Sequence, residues 1–300
     1  NGEAERPSMT YVRPVNESGE ASRVAAGSGW AILTTGDVGV RAYWRYYGPA
    51  PEFYESVEAP ADTPSWIGDT IVLTGPHETV SATRAGEEFT LVIPDHANLV
   101  ADPADVFASL GYAREELDMG HAHDATTGVV QPAELEEGGF VANAGWPEYA
   151  VHEGQLPEGV GNTWIHEYVH TRQNFSTTEE ADWLFEASAE YEAALLTLQH
   201  GNATWLAFQN HVTSDRYADA NLRTRTHAGT PYADYTKGAA VMAVIDARIR
   251  NATDGRRSIE TVLARLNERR QPVTSAAFKL TVAEVAGESM ADEIDRLVTE

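Results

Sequence analysis

Two histidines and a glutamate stand close together in Trp164-Ile165-His166-Glu167-Tyr168-Val169-His170. On a helix, residues four apart share a face, so His166 and His170 can aim their imidazoles at one point. That spacing suits a metal ion, and Glu167 is placed to reach a metal-bound water rather than the metal. The chemistry implied is hydrolysis with a metal-activated water and Glu167 as general base. The chain has no cysteine, which excludes disulfides and cysteine-ligated zinc. A catalytic zinc needs one more protein ligand beside two histidines, and it must be His, Glu or Asp. The next predicted helix offers Glu186, with Glu190 one turn later on the same face. Glu186 would ligate and Glu190 would orient a ligating histidine through its free N–H. The alternative is a solvated acidic face, which is how nearby Glu179, Glu180 and Glu192 are read.

H-E-Y-V-H followed by W-L-F-E-A-S-A-E-Y resembles the gluzincin metallopeptidases, whose pattern is H-E-x-x-H and then W-L-x-E-G. Within them the chain is similar to the glycyl-aminopeptidase and aminopeptidase N families. The resemblance implies one catalytic Zn2+ held by His166, His170 and Glu186, with Glu167 as general base. Fifteen residues separate His170 from Glu186, fewer than in aminopeptidase N relatives, and Ala187 stands where they carry Gly. Downstream, Asp234-Tyr235-Thr236-Lys237-Gly238-Ala239 resembles the families' Y-x-K-G-A segment, which implies that the Tyr235 hydroxyl donates to the oxyanion. Gly145-Trp146-Pro147-Glu148-Tyr149 precedes the zinc helix where relatives carry G-x-M-E-N or G-G-x-E-H. There the glutamate lies on an edge strand and binds the substrate's free α-amine. Glu148 is the candidate for that role, against the alternative of an exposed glutamate beside a turn. Residues 258–298 resemble the helical end of glycyl-aminopeptidase domains, so the resemblance covers roughly residues 139–300.

The function expected is a zinc-dependent peptidase acting on peptides or proteins, as an aminopeptidase or as an endopeptidase of the same fold. A non-catalytic zinc-binding envelope or interaction protein is the alternative from another class, and it would need neither Glu167 nor Tyr235. A second histidine cluster, His121-Ala122-His123-Asp124, has its aspartate one position early for a metallo-β-lactamase-type site and reads as a polar loop.

These side chains must be positioned by a helical half. Apolar periodicity and boundary residues predict helices over 162–175, 181–200, 203–211, 232–250, 258–267, 274–286 and 290–299. Before them, β-type runs at 31–34, 38–44, 70–73, 89–93, 128–130 and 140–142 flank a helix over 102–118. The expected class is α+β: a flexible leader over 1–28, a small β-rich N-terminal domain over 29–100 and a catalytic domain over 101–300. The resemblance makes that last domain gluzincin, or thermolysin-like, with a mixed sheet and a helical C-terminal half.

The formal charge is −25, and of 21 basic residues only Lys237 and Lys279 are lysines. An acidic, lysine-poor surface resembles proteins of halophilic archaea, so that origin is expected. Nucleic acid and anionic membranes are poor partners for such a surface, so no nucleic-acid partner is expected. The longest apolar stretch, 239–249, is interrupted by Asp246 and Arg248, so no membrane span is predicted. Asn16, Asn174, Asn202 and Asn251 open N-x-S/T sequons, which allow an extracellular or envelope protein, with the cytoplasm of a halophile as the alternative.

Overall fold

A computed structural model describes residues 64–300, except 75, 134–137, 142–143 and 225–231, and the backbone of four earlier strands. Those strands form two antiparallel pairs: β1 (Ser8–Pro14) with β4 (Val40–Arg45), and β2 (Ser22–Gly27) with β3 (Trp30–Thr34). Two of them lie inside the stretch expected to be a flexible leader. A short hairpin follows, β5 (Ser65–Ile67) with β6 (Val72–Thr74).

Five further strands make the mixed sheet that frames the site: β7 (His77–Arg84), β8 (Glu87–Pro94), β9 (Ala125–Gln131), β10 (Gly139–Val141) and β11 (Glu148–His152). Their order is β10-β11-β9-β8-β7. The β7–β8 hairpin turns through Ala85 and Gly86, both at positive φ, which matches the twist of the flanking strands. The β8–β9 and β9–β11 pairs are parallel, and β10 runs antiparallel on the edge. This sheet crosses residue 100, so the expected boundary between 29–100 and 101–300 divides elements that share hydrogen bonds.

Strand alternation gives the sheet two apolar faces. Phe89, Leu91 and Ile93 join the larger core with Val130, Tyr149 and Val151, against α1 (Pro103–Glu116) and the helices beyond. Val92, Val129 and Ala150 point the other way and are covered by Ile71, Leu73 and Trp66 of the β5–β6 hairpin. Asp102 caps α1 by accepting from the Ala104 N–H, and Pro103 starts the helix where no N–H is needed.

The helical half contains α2 (Thr163–Thr171), α3 (Trp183–His200), α4 (Trp205–Val212), α5 (Ala233–Ala252), α6 (Ile259–Asn267), α7 (Ser275–Ala286) and α8 (Ala291–Thr299), in the order the sequence predicts. Helix α2 is buried from Trp164 to Thr171, held between the sheet and α3. Gly238 lets α5 approach α3 closely, since a Cβ there would lie 2.7 Å from the Ala187 Cβ. One expectation fails inside α3. Glu192, read as solvated, is fully buried, and neither carboxylate oxygen has a hydrogen-bond partner. Glu179 and Glu180 are exposed as expected. No described helix is long and apolar enough to cross a membrane.

Candidate metal centre

Asn162 sets the start of α2. Its Oδ1 accepts from the Ile165 N–H, and its Nδ2 donates to Ser109 Oγ and the Pro157 carbonyl. One helical turn then separates His166 from His170, whose Nε2 atoms stand 3.1 Å apart. Glu186, from the first turn of α3, brings Oε2 to 3.2 Å from each. Ligands on a tetrahedral zinc with bonds near 2.0 Å are separated by about 3.3 Å, so the triangle fits one ion.

The imidazole backs are held as ligation requires. His166 Nδ1 lies 2.9 Å from Glu190 Oε2, and His170 Nδ1 lies 2.7 Å from Gln173 Oε1. The orientation of Gln173 is fixed because its Nε2 donates to the Phe185 carbonyl and to Ser188 Oγ. Both acceptors therefore hold a ring proton on Nδ1 and turn Nε2 of each ring toward Glu186. Glu190 has a second neighbour, His211 of α4, whose Nε2 is 3.1 Å from its Oε1.

Charge in the cluster is skewed toward accepting a cation. Burial favours neutral His166, yet its hydrogen bonds to Glu186 and Glu190 outweigh that and raise its pKa well above the ordinary value. Burial likewise opposes ionisation of the two glutamates, but the histidines win. They hold Glu186 well below the usual carboxylate range and help bring Glu190 to about 2. Without a metal, the imidazoles take up the positive charge these carboxylates demand. An ion with nitrogen and oxygen affinity would replace those protons.

Glu167 sits beside the triangle, 4% exposed, with Oε2 unpaired. Burial pushes its pKa up to about 7; His166 and His170 pull it down, while Glu186 and Glu190 push it up. A carboxyl titrating near neutrality is suited to taking and returning a proton. Its side chain lies against edge strand β10 at Gly139, where a Cβ would be 2.6 Å from Glu167 Cγ. Tyr235 stacks on His166 with ring centroids 5.5 Å apart and planes 9° from parallel. Burial and the neighbouring Glu186 carboxylate raise its hydroxyl's pKa, so it stays a donor. Lys237 turns away from this chemistry and donates to the Ala220 carbonyl at 2.6 Å.

Glu148 is not brought to the cluster. Alternation along β11 puts it on the same face as Ala150, opposite Tyr149, and therefore on the hairpin side of the sheet. It is buried, and its carboxylate accepts from the backbone N–H groups of Asp69, Thr70 and Ile71 and from the Thr70 hydroxyl. Strand β11 is also interior, and the edge strand is β10. His121 and His123 hydrogen-bond to the carbonyls of Gly145 and Thr171, as a polar loop docked beneath α2.

Sequence reasoning missed Gln173, His211 and a tether on the far side of α2. Buried Glu87 there accepts from the Tyr168 hydroxyl at 2.8 Å and Arg172 Nη2 at 3.0 Å. Gln173 falls three residues beyond His170, a spacing that could have pointed to it. His211 and Glu87 gave no signal, because only tertiary packing brings them in.

No protein-family model matches this sequence, and no curated protein matches it. Its fold, by contrast, is similar to that of solved peptidases. An M1 zinc metallopeptidase from Deinococcus radiodurans superposes with a TM-score of 0.53 at 14% identity, covering 79% of this chain and 58% of that one. An aminopeptidase N family protein from Idiomarina loihiensis gives 0.51 at 14% identity over 65% of this chain and 41% of its own. Aminopeptidase A of Legionella pneumophila, solved with aspartic acid, gives 0.53 at 14% identity, with 77% and 29% covered. The chain thus spans less than two thirds of each of these neighbours. At this identity the likeness is one of fold alone: a mixed sheet followed by helices, similar to these peptidase structures.

Proposed function

We propose that this chain is a zinc-dependent peptidase. The observation that carries the reading is the triangle of His166 Nε2, His170 Nε2 and Glu186 Oε2, with the unpaired Glu167 carboxylate beside it. Zinc bound there supplies Lewis-acid polarisation of the scissile carbonyl and makes water nucleophilic near neutral pH. Glu190 and Gln173 hold the two imidazoles in the ligating tautomer. Glu167 takes a proton from the attacking water and delivers it to the leaving amine nitrogen, which its near-neutral pKa allows. Tyr235 donates to the carbonyl oxygen as negative charge develops on it. A merely structural ion would need neither Glu167 nor Tyr235, which disfavours the non-catalytic alternative.

The position of Glu148 favours the endopeptidase form of this reading. The resemblance gives Glu148 the task of binding a free α-amine, and Glu148 is occupied on the opposite sheet face. Paired peptides with free and acetylated N-termini separate the two forms, assayed with chelator and after adding zinc back. Zinc-restored cleavage of both peptides is expected. Cleavage of the free-amine peptide alone would restore the aminopeptidase form, and chelator-insensitive cleavage would overturn the zinc reading. The acidic, lysine-poor surface supports a halophilic setting, in an envelope or extracellular location consistent with the sequons.

A further inference from the structure

Away from the histidine cluster, the end of β7, one side of α1 and the end of α3 enclose an open surface cavity of about 660 Å³. Arg84, Gly111, Tyr112, Arg114, Glu115 and His200 line it. In a chain with 46 acidic and 21 basic residues, two guanidinium groups on one small cavity run against the overall balance. The reason Arg114 is not neutralised lies beneath the surface. Its Nε is 3.0 Å from Glu87 Oε2, but that oxygen also meets Arg172 Nη2 at 3.0 Å. Glu87 is fully buried and Arg172 nearly so, whereas the Arg114 side chain is 31% exposed. One buried carboxylate thus faces two arginines, and the surplus positive charge is the one that reaches the cavity.

Arg84 adds a second charge. Its one hydrogen bond is from Nη1 to the Thr83 carbonyl, and among the described residues it has no carboxylate partner. Gly111 makes room for its stem, since a Cβ at that position would lie 2.7 Å from the Arg84 Cβ. Glu115 and Glu116 lie near Tyr112, so it is the placement of the two guanidinium groups on the cavity, not an excess of positive charge, that marks it. Tyr112 and His200 form an aromatic wall, with ring centroids 4.7 Å apart at 35°.

We propose that this cavity binds a small organic oxyanion, a phosphate or carboxylate attached to a planar body. The oxyanion meets Arg84 and Arg114, which can each present paired N–H donors to it. The planar body lies along Tyr112 and His200. The site is independent of the peptidase reading and can be tested without zinc.

Phenyl phosphate and benzoate are titrated separately into the metal-free full chain by calorimetry at constant ionic strength. Saturable one-to-one binding of at least one probe is expected, and the probe that binds identifies the oxyanion. Because Arg84 is exposed and makes no buried ion pair, Arg84→Gln should keep the melting temperature while weakening binding by about tenfold or more. Arg84→Lys should recover part of that loss. Absence of saturable binding by both probes, or unchanged affinity in Arg84→Gln, would overturn the proposal.

Discussion

His166 and His170 are chemically alike, yet their supports differ. Behind His166 stands a carboxylate, Glu190, and behind His170 a neutral amide, Gln173. A carboxylate partner makes an imidazole a stronger donor, so His166 would bind a metal ion more strongly than His170. Replacing Glu190 by Gln keeps an acceptor but removes its charge. Zinc affinity, measured by chelator competition, should fall about 10–100-fold. Unchanged affinity would mean that Glu190 merely fills space between His166 and His211. The histidines, Glu167, Glu186 and Glu190 were legible as spacings because each pair lies on a single helix. Gln173 has a telling spacing from His170 too, but its orientation depends on carbonyl and hydroxyl partners from α3 that no local pattern shows. The direction Glu148 takes was hidden for a related reason. A local motif gives residue type, but the sheet face a side chain takes depends on the parity of the strand.

Helices α3 and α5 meet at Gly238 and Ala187, which brings Glu186 and Tyr235 toward the same imidazoles. Gly238 supplies the room for this approach, since a Cβ there would collide with the Ala187 Cβ. Further along α3, Glu192 is buried without partners near Asp246, which is itself bonded to Tyr191, Arg250 and the Ile259 N–H. Burial, then Glu260 and Asp246, raise the Glu192 pKa well above the usual range. A carboxyl whose folded pKa is raised favours folding at low pH and costs stability as pH climbs above its unfolded value, about 4.3. Glu192→Gln should therefore raise the melting temperature at pH 7 by about 2–4 °C for each kcal/mol recovered. The gain should shrink toward zero below about pH 4. A variant less stable than the wild type at pH 7 would show that the carboxylate is paired. At this scale the helices were readable from apolar period and end signals. Strands β7 and β11 were not. The first is a mostly exposed edge strand, and the second is buried through most of its length and shows no alternation.

Across the whole molecule the charge of −25 acts on every element at once. Several described arginines are committed to acids, as in Arg172–Glu87, Arg248–Glu293, Arg250–Asp246 and Arg265–Glu284, yet a large excess of carboxylate remains. Salt shortens the range of that repulsion, from about 10 Å at 0.1 M to about 3 Å at 1 M. The melting temperature should rise steadily with NaCl over this range, as followed by circular dichroism. A flat or falling curve would show that the ion pairs matter more than the net charge. The mixed sheet and the helical half were foreseeable at this scale. The pairing of strands from both sides of residue 100 was not, because it is long-range.

All three scales converge on Glu167, a buried and unpaired carboxyl beside a ready ligand triangle. The direct measurement is peptide hydrolysis by Glu167→Gln, with zinc content determined on the same preparation. The variant should hold about one zinc per chain and lose about 10²–10⁴-fold in kcat. A zinc-loaded variant with near-normal turnover would contradict the account.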